Sequence, residues 1–198
     1  MPKIHRFILL FGLFGFCAAC NSPDPSFPRP YGFHRINFPQ STVYQTFQNE
    51  SCPFTFEYPD FGVISRDNPD SCWVDILFPQ YDCKWHLTYR NIVESGRMLP
   101  AHFEEYRRLV YKHTKKASEI RETGFSVAAG GGVSFELYGN VGIPEQFFLT
   151  DTTENIALTS FYYQTALKND SLAPVSVYMK AQLKHMRESF RWRSDTQP

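Results

Sequence analysis

Apolar and polar residues alternate through Phe54, Thr55, Phe56, Glu57 and Tyr58 before Pro59 stops the run. A period of two predicts a strand with one buried face. A second strand is predicted over Trp73–Phe78, and Pro79-Gln80 turns the chain into a third over Cys83–Arg90. In that third strand Cys83, Trp85 and Leu87 take the inward positions, and Lys84 and His86 the outward ones. The period then changes. Leu99, Phe103, Tyr106, Val110 and His113 recur at helical spacing between Leu99 and about Lys115, with Glu104, Glu105, Arg107, Arg108, Lys112 and Lys115 on the opposite side. Pro100 suits the first turn of that helix.

Strand-like runs follow over 119–126, 133–138, 146–149 and 156–164, and Gly130-Gly131-Gly132 reads as a flexible turn between the first two. A closing helix begins at Ser171, whose hydroxyl can cap it, with Pro174 in the first turn and Val175, Met179, Met186 and Phe190 as the buried side. The order predicts an α+β domain, a mostly antiparallel sheet flanked by two helices. It resembles the Mog1/PsbP-like fold, a likeness that carries no function with it.

One apolar run fits neither period. Phe7 to Phe16 follows Lys3, His5 and Arg6 and leads into Ala18-Ala19-Cys20. The run is shorter than the roughly 20 residues a spanning helix needs, and its layout is that of a secretion signal. Cys20 is preceded by the small residues a signal peptidase requires, whereas Cys17 follows bulky Phe16 and occupies the place where a lipobox usually has Leu. The expectation is a signal peptide over 1–19 and a lipidated Cys20, held by a diacylglycerol and an N-acyl chain at about 0.8 kcal/mol per buried methylene. Ordinary cleavage, leaving Cys20 a free thiol, is the alternative. Residues 20–32 form a proline-rich tether, reading NSPDPSFPRP after the cysteine, and 33–198 a single domain.

Loss of Lys3 and Arg6 with the signal leaves a net charge of about −2 and no basic stripe, so nucleic acid is not an expected partner. Beyond the anchor the cysteines are Cys52, Cys72 and Cys83, an odd number that allows at most one bridge and leaves a spare thiol. With Pro79-Gln80 as the turn, Cys83 lies opposite Ile76 and Cys72 four residues further on at about 3.3 Å each. That exceeds the roughly 7 Å a disulfide spans, which disfavours a Cys72–Cys83 bridge. The sequence gives no placement for Cys52.

Catalytic signatures are sparse. No G-x-S-x-G elbow is present, and the triple glycine lacks the Lys-Ser/Thr and helix of a phosphate loop. Cys83 and His86, three apart on a strand, point to opposite faces and do not share a metal ion. The chain therefore reads as neither an enzyme nor a metalloprotein, with no cofactor beyond the lipid on Cys20. The candidate partner-binding residues are Lys112, His113 and Lys116 at the helix end, Gln146 and Asp151 flanking a strand, and Asp170 beside Ser171. The helix-end residues and Asp170 have plainer alternatives. The lysines complement the helix dipole, His113 is hydrogen-bonded in the core, and Asp170 favours a helix start.

Several phrases taken together resemble the gliding-motility-associated lipoprotein GldD family of the Bacteroidetes. They are Phe33 to Pro39, Phe54 to Pro59, Trp73 to Pro79, His86 to Tyr89, Tyr111 to Ala117, Gln146 to Asp151, Asn169 to Pro174 and Phe190 to Trp192. The family is lipidated at a cysteine in the place of Cys20. The resemblance implies a non-catalytic, membrane-anchored part in gliding motility and type IX protein secretion, through assembly or stabilisation of an envelope complex with other such proteins. The tether holds Asp24 but no acidic run resembling a surface-export signal. The expected location is therefore the cell envelope, facing the periplasm, on the outer membrane in preference to the inner. A different reading is a periplasmic lipoprotein that binds a small glycan or lipid, with Trp73, Trp85, Phe148 and Tyr162 as stacking surfaces.

Overall fold

The computed structural model describes residues 36–65, 72–164 and 169–193, apart from the side chains of 169–171. The expected signal peptide (1–19), Cys20 and the tether (20–32) lie outside these residues. The strands are β1 (Tyr44–Gln48), β2 (Phe54–Pro59), β3 (Val63–Ser65), β4 (Trp73–Phe78), β5 (Cys83–Asn91), β6 (Ala117–Val127), β7 (Gly130–Gly139), β8 (Glu145–Thr150), β9 (Asn155–Tyr163) and β10 (Arg191–Trp192). Helix α1 (Leu99–Tyr111) sits between β5 and β6, and α2 (Asn169–Ser189) between β9 and β10. Among the described residues no helix is long and apolar enough to cross a membrane.

Seven strands form one sheet in the order β3-β4-β5-β9-β8-β7-β6, and β1-β2-β10 form a smaller one. Every pairing is antiparallel. The alternation in β4 and β5 does what its period predicts: Val74, Ile76, Phe78, Cys83, Trp85 and Leu87 are all buried. They join Phe147 and Phe161 on one face of the large sheet, where Val175, Met179, Leu183 and Met186 of α2 and Phe54 and Phe56 of β2 complete the main core. Phe190, just past the helix, stacks on Phe54 at 5.5 Å and Phe56 at 5.9 Å. The other face carries a second core beneath α1, built by Tyr106 and Val110 against Phe135, Leu137, Phe148 and Ile156. Strand β8 lies under both layers and is buried at all six positions, which explains why its apolar residues run consecutively instead of alternating.

Several expected boundaries move. The connection after β4 is a 3-10 turn over Pro79–Tyr81 with Asp82 in the left-handed region, so Cys83 pairs with Phe78 and not Ile76. This carries Cys72 still further from Cys83, and the bridge that exists is Cys52–Cys72, with Cα atoms 5.4 Å apart. It ties the β1–β2 hairpin to the start of β4. Cys83 is the free, buried thiol. The glycine triplet is not a turn. Gly130, Gly131 and Gly132 begin β7, the turn being Ala128-Ala129, and a Cβ on Gly132 would run into the Phe148 carbonyl and the Phe125 ring. Helix α2 begins two residues before Ser171, which puts Pro174 inside the helix.

Candidate functional site

Helix α1 packs on β7, β8 and the Ile156 end of β9, and the open part of this face is the β3–β5 side with the Tyr162 end of β9, where Trp73 is exposed and Asp75, Leu77, Lys84, His86, Thr88 and Tyr162 are half-buried. Strand register determines which side chains share that open half, because directly paired residues point to the same face. One row crosses the sheet as Ser65, Asp75, His86, Ser160 and Gln146. The flanking rows bring in Trp73 beside Thr88, and Leu77 beside Lys84 and Tyr162. Asp75 organises the centre: Lys84 Nζ donates to Oδ2 at 2.7 Å and His86 Nδ1 to Oδ1 at 2.5 Å. Burial works to raise the Asp75 pKa, but the bonds from Lys84 and His86 outweigh it and hold the carboxyl below its ordinary value. With Nδ1–H committed to Asp75, a neutral His86 ring accepts the Thr88 hydroxyl at Nε2, 3.1 Å away.

The sequence Asp75, His86, Thr88 has the hydrogen-bond order of a carboxylate–imidazole–hydroxyl relay. Strand β5 is paired on both sides, with β4 and β9, so its N–H groups lie in the sheet plane and cannot converge on a point above Thr88 as an oxyanion hole requires. What the open half presents is a rigid polar cluster flanked by Trp73, which is 57% exposed, and half-buried Tyr162. Lys84 lies over the Tyr162 ring at 5.8 Å, and His86 meets it edge-on at 6.5 Å.

The structure does not gather the sequence candidates into one site. Lys112, His113 and Lys116 lie on and just past a 3-10 turn after α1, with both lysines exposed and His113 half-buried. Desolvation lowers the His113 pKa. The buried helix histidine is His102 instead, 5% exposed, with Nε2 2.8 Å from Ser95 Oγ. Since the Ser95 hydroxyl donates to the Ile92 carbonyl, His102 carries its proton on Nε2 and Nδ1 is left without a partner among the described residues. Gln146 lies within β8 at 5% exposure, its Oε1 accepting from Ser160 at 3.2 Å. Asp151 closes the β8–β9 turn, accepting from the backbone N–H groups of Thr153, Glu154 and Asn155 at 2.9 Å each. Asp170 falls in the first turn of α2, and its side chain lies outside the described residues.

Two residues that sequence reasoning did not single out are Asp75 and Glu145. Asp75 alternates with Val74 and Ile76, so its outward direction was available. Its partner was not, since a two-residue turn would have paired it with Lys84 in place of His86. Glu145 is buried in β8 opposite Glu136 of β7.

The fold is shared with a solved structure, Mog1p. The Saccharomyces cerevisiae Ran-binding protein Mog1p matches at 10% identity and TM-score 0.52, over 77% of this chain and 96% of that one. Cyanobacterial PsbP from Synechocystis matches at 11% identity and TM-score 0.43, over 80% of this chain and 98% of that one. No curated protein sequence matches the chain. The family profile for gliding motility lipoprotein GldD matches residues 23–192, which takes in every element of the fold, and the chain belongs to that family.

Proposed function

We propose that this gliding motility lipoprotein is non-catalytic and acts as a tethered assembly factor. It stabilises an envelope complex that serves gliding and type IX secretion, with the lipid on Cys20 fixing its place and the folded domain meeting its partners. Family membership over residues 23–192 is the observation that carries this reading. The facing of the domain toward the periplasm, and the preference for the outer membrane, belong to the same proposal. A stacking site made of Trp73, Trp85, Phe148 and Tyr162 together is not supported, because Trp85 and Phe148 are core residues at 0% and 3% exposure. The test is quantitative proteomics of the envelope in a deletion strain. Other gliding and type IX envelope proteins should fall in abundance, and unchanged levels would contradict an assembly role.

A further inference from the structure

Trp73, His86 and Tyr162 lie on a diagonal across the open half-face, on adjacent strands β4, β5 and β9. Two inter-strand steps of about 4.8 Å and four residues of about 3.3 Å put the ends of the diagonal roughly 16 Å apart. An aromatic ring at each end and an imidazole at the centre offer flat apolar surfaces along a line. Between them stand the half-buried hydrogen-bonding groups of Asp75, Lys84 and Thr88. This is the chemistry that meets a pyranose chain, whose C–H faces stack on aromatic rings while its hydroxyls and amides seek polar side chains.

The charge on this face points to the same ligand class. Lys84, the lysine between His86 and Tyr162, is paired with Asp75 at 2.7 Å, so its charge is balanced on the diagonal itself, which suits an uncharged ligand and not a phosphate-bearing one. The Lys84–Asp75–His86 bonds also hold the centre in one conformation, so that little ordering cost falls on binding.

We infer that the open half-face of the large sheet is a glycan-binding platform that receives an uncharged N-acetylhexosamine strand of the cell wall along the Trp73–His86–Tyr162 diagonal. This goes beyond the assembly role and rests on the proposed periplasmic facing of the domain, whereas hexamer binding by the purified protein is read independently of either. The platform would hold the tethered domain against the wall, leaving the remaining surface for protein partners.

The test uses the full mature lipoprotein in detergent, titrated calorimetrically with a soluble β-1,4-linked N-acetylglucosamine hexamer and co-sedimented with purified peptidoglycan. Saturable hexamer binding and co-sedimentation are expected. Trp73→Ala and Tyr162→Ala should each weaken the hexamer at least tenfold, with Val177→Ala on the exposed side of α2 as the unaffected control. Trp73 is exposed and Tyr162 half-buried, and unchanged melting of each variant shows that the fold is kept. No saturable hexamer signal, or binding that survives in the Trp73→Ala/Tyr162→Ala double variant, would overturn the inference. Binding to anionic phospholipid vesicles that requires Trp73, without hexamer binding, would overturn it in favour of a lipid surface.

Discussion

Glu136 and Glu145 are direct cross-strand partners on the α2 side of the large sheet, and their surroundings drive their protonation in opposite directions. Burial raises both. At Glu136 it is outweighed by Lys180, whose Nζ donates at 3.1 Å, with help from Tyr138 and Arg121, and the carboxyl ends below its ordinary value. At Glu145, 7% exposed, Ser134 at 3.1 Å and the more distant Lys180 do not compensate, and the carboxyl ends above it. A buried acid with a raised pKa favours its neutral form in the fold. Its contribution to stability is full below the unfolded carboxyl value of about 4.3 and is lost as pH climbs through the folded value. Glu145→Gln keeps an acceptor for Ser134 and removes the charge, so it should melt a few degrees higher than wild type at neutral pH. The gap should close toward pH 4, as read by melting curves across a pH series; a gap independent of pH would assign the effect to packing instead.

The Cys52–Cys72 bridge closes a loop with a sequence separation of 20. Chain-entropy arguments give such a loop about 3 kcal/mol. Cys52→Ala/Cys72→Ala, or reduction of the wild type, should lower the unfolding free energy by about 2–4 kcal/mol in urea titrations. Equal midpoints with and without reductant would show that the bridge contributes nothing.

Cys83 should behave as a structural thiol. It is fully buried in β5, and desolvation, with Asp82 adding to it, pushes its pKa up to about 12. A thiol held protonated and out of reach reacts slowly. A colorimetric thiol reagent should therefore find no Cys83 in the folded protein at pH 8 and a full equivalent once urea is added. Rapid labelling under native conditions would contradict the burial.

Gly132 is required by the close approach of β7 to β8. Gly132→Ala places a methyl group against the Phe148 carbonyl and the Phe125 ring, and backbone cannot yield as a side-chain tip can. The expected cost is about 1–3 kcal/mol, the range for overpacking, measured by chemical denaturation. Gly142→Ala, where nothing lies within 4 Å of the added carbon, is the neutral comparison.

Long elements with one buried face were legible in the sequence. Val74, Ile76, Trp85 and Leu87 on one side, and Phe103, Tyr106 and Val110 at helical spacing, announce their partners through period alone. Strands β1, β3 and β10 were not. In β1 only Phe47 is buried, and β3 and β10 have three and two residues, too few for any period. The helix stripe pointed to His113, yet α1 gives way to a 3-10 turn there and the buried histidine is His102. Neither Cys52–Cys72 nor Glu136–Glu145 could be read from spacing, because both depend on which strand lies beside which. The platform on the open face is an intermediate case. Its residues alternate outward in plain view, but the diagonal appears only when β9 is set next to β5.

Lipid-dependent service to gliding and secretion is tested most directly by complementation. A deletion strain would receive either the wild-type gene or Cys20→Ala, and type IX cargo in the medium would be quantified along with colony spreading. The wild-type gene should restore both, and Cys20→Ala, expressed at a comparable level but no longer labelled by a palmitate analogue, should restore neither. Normal secretion and spreading in the deletion strain, or full rescue by unlabelled Cys20→Ala, would contradict the account.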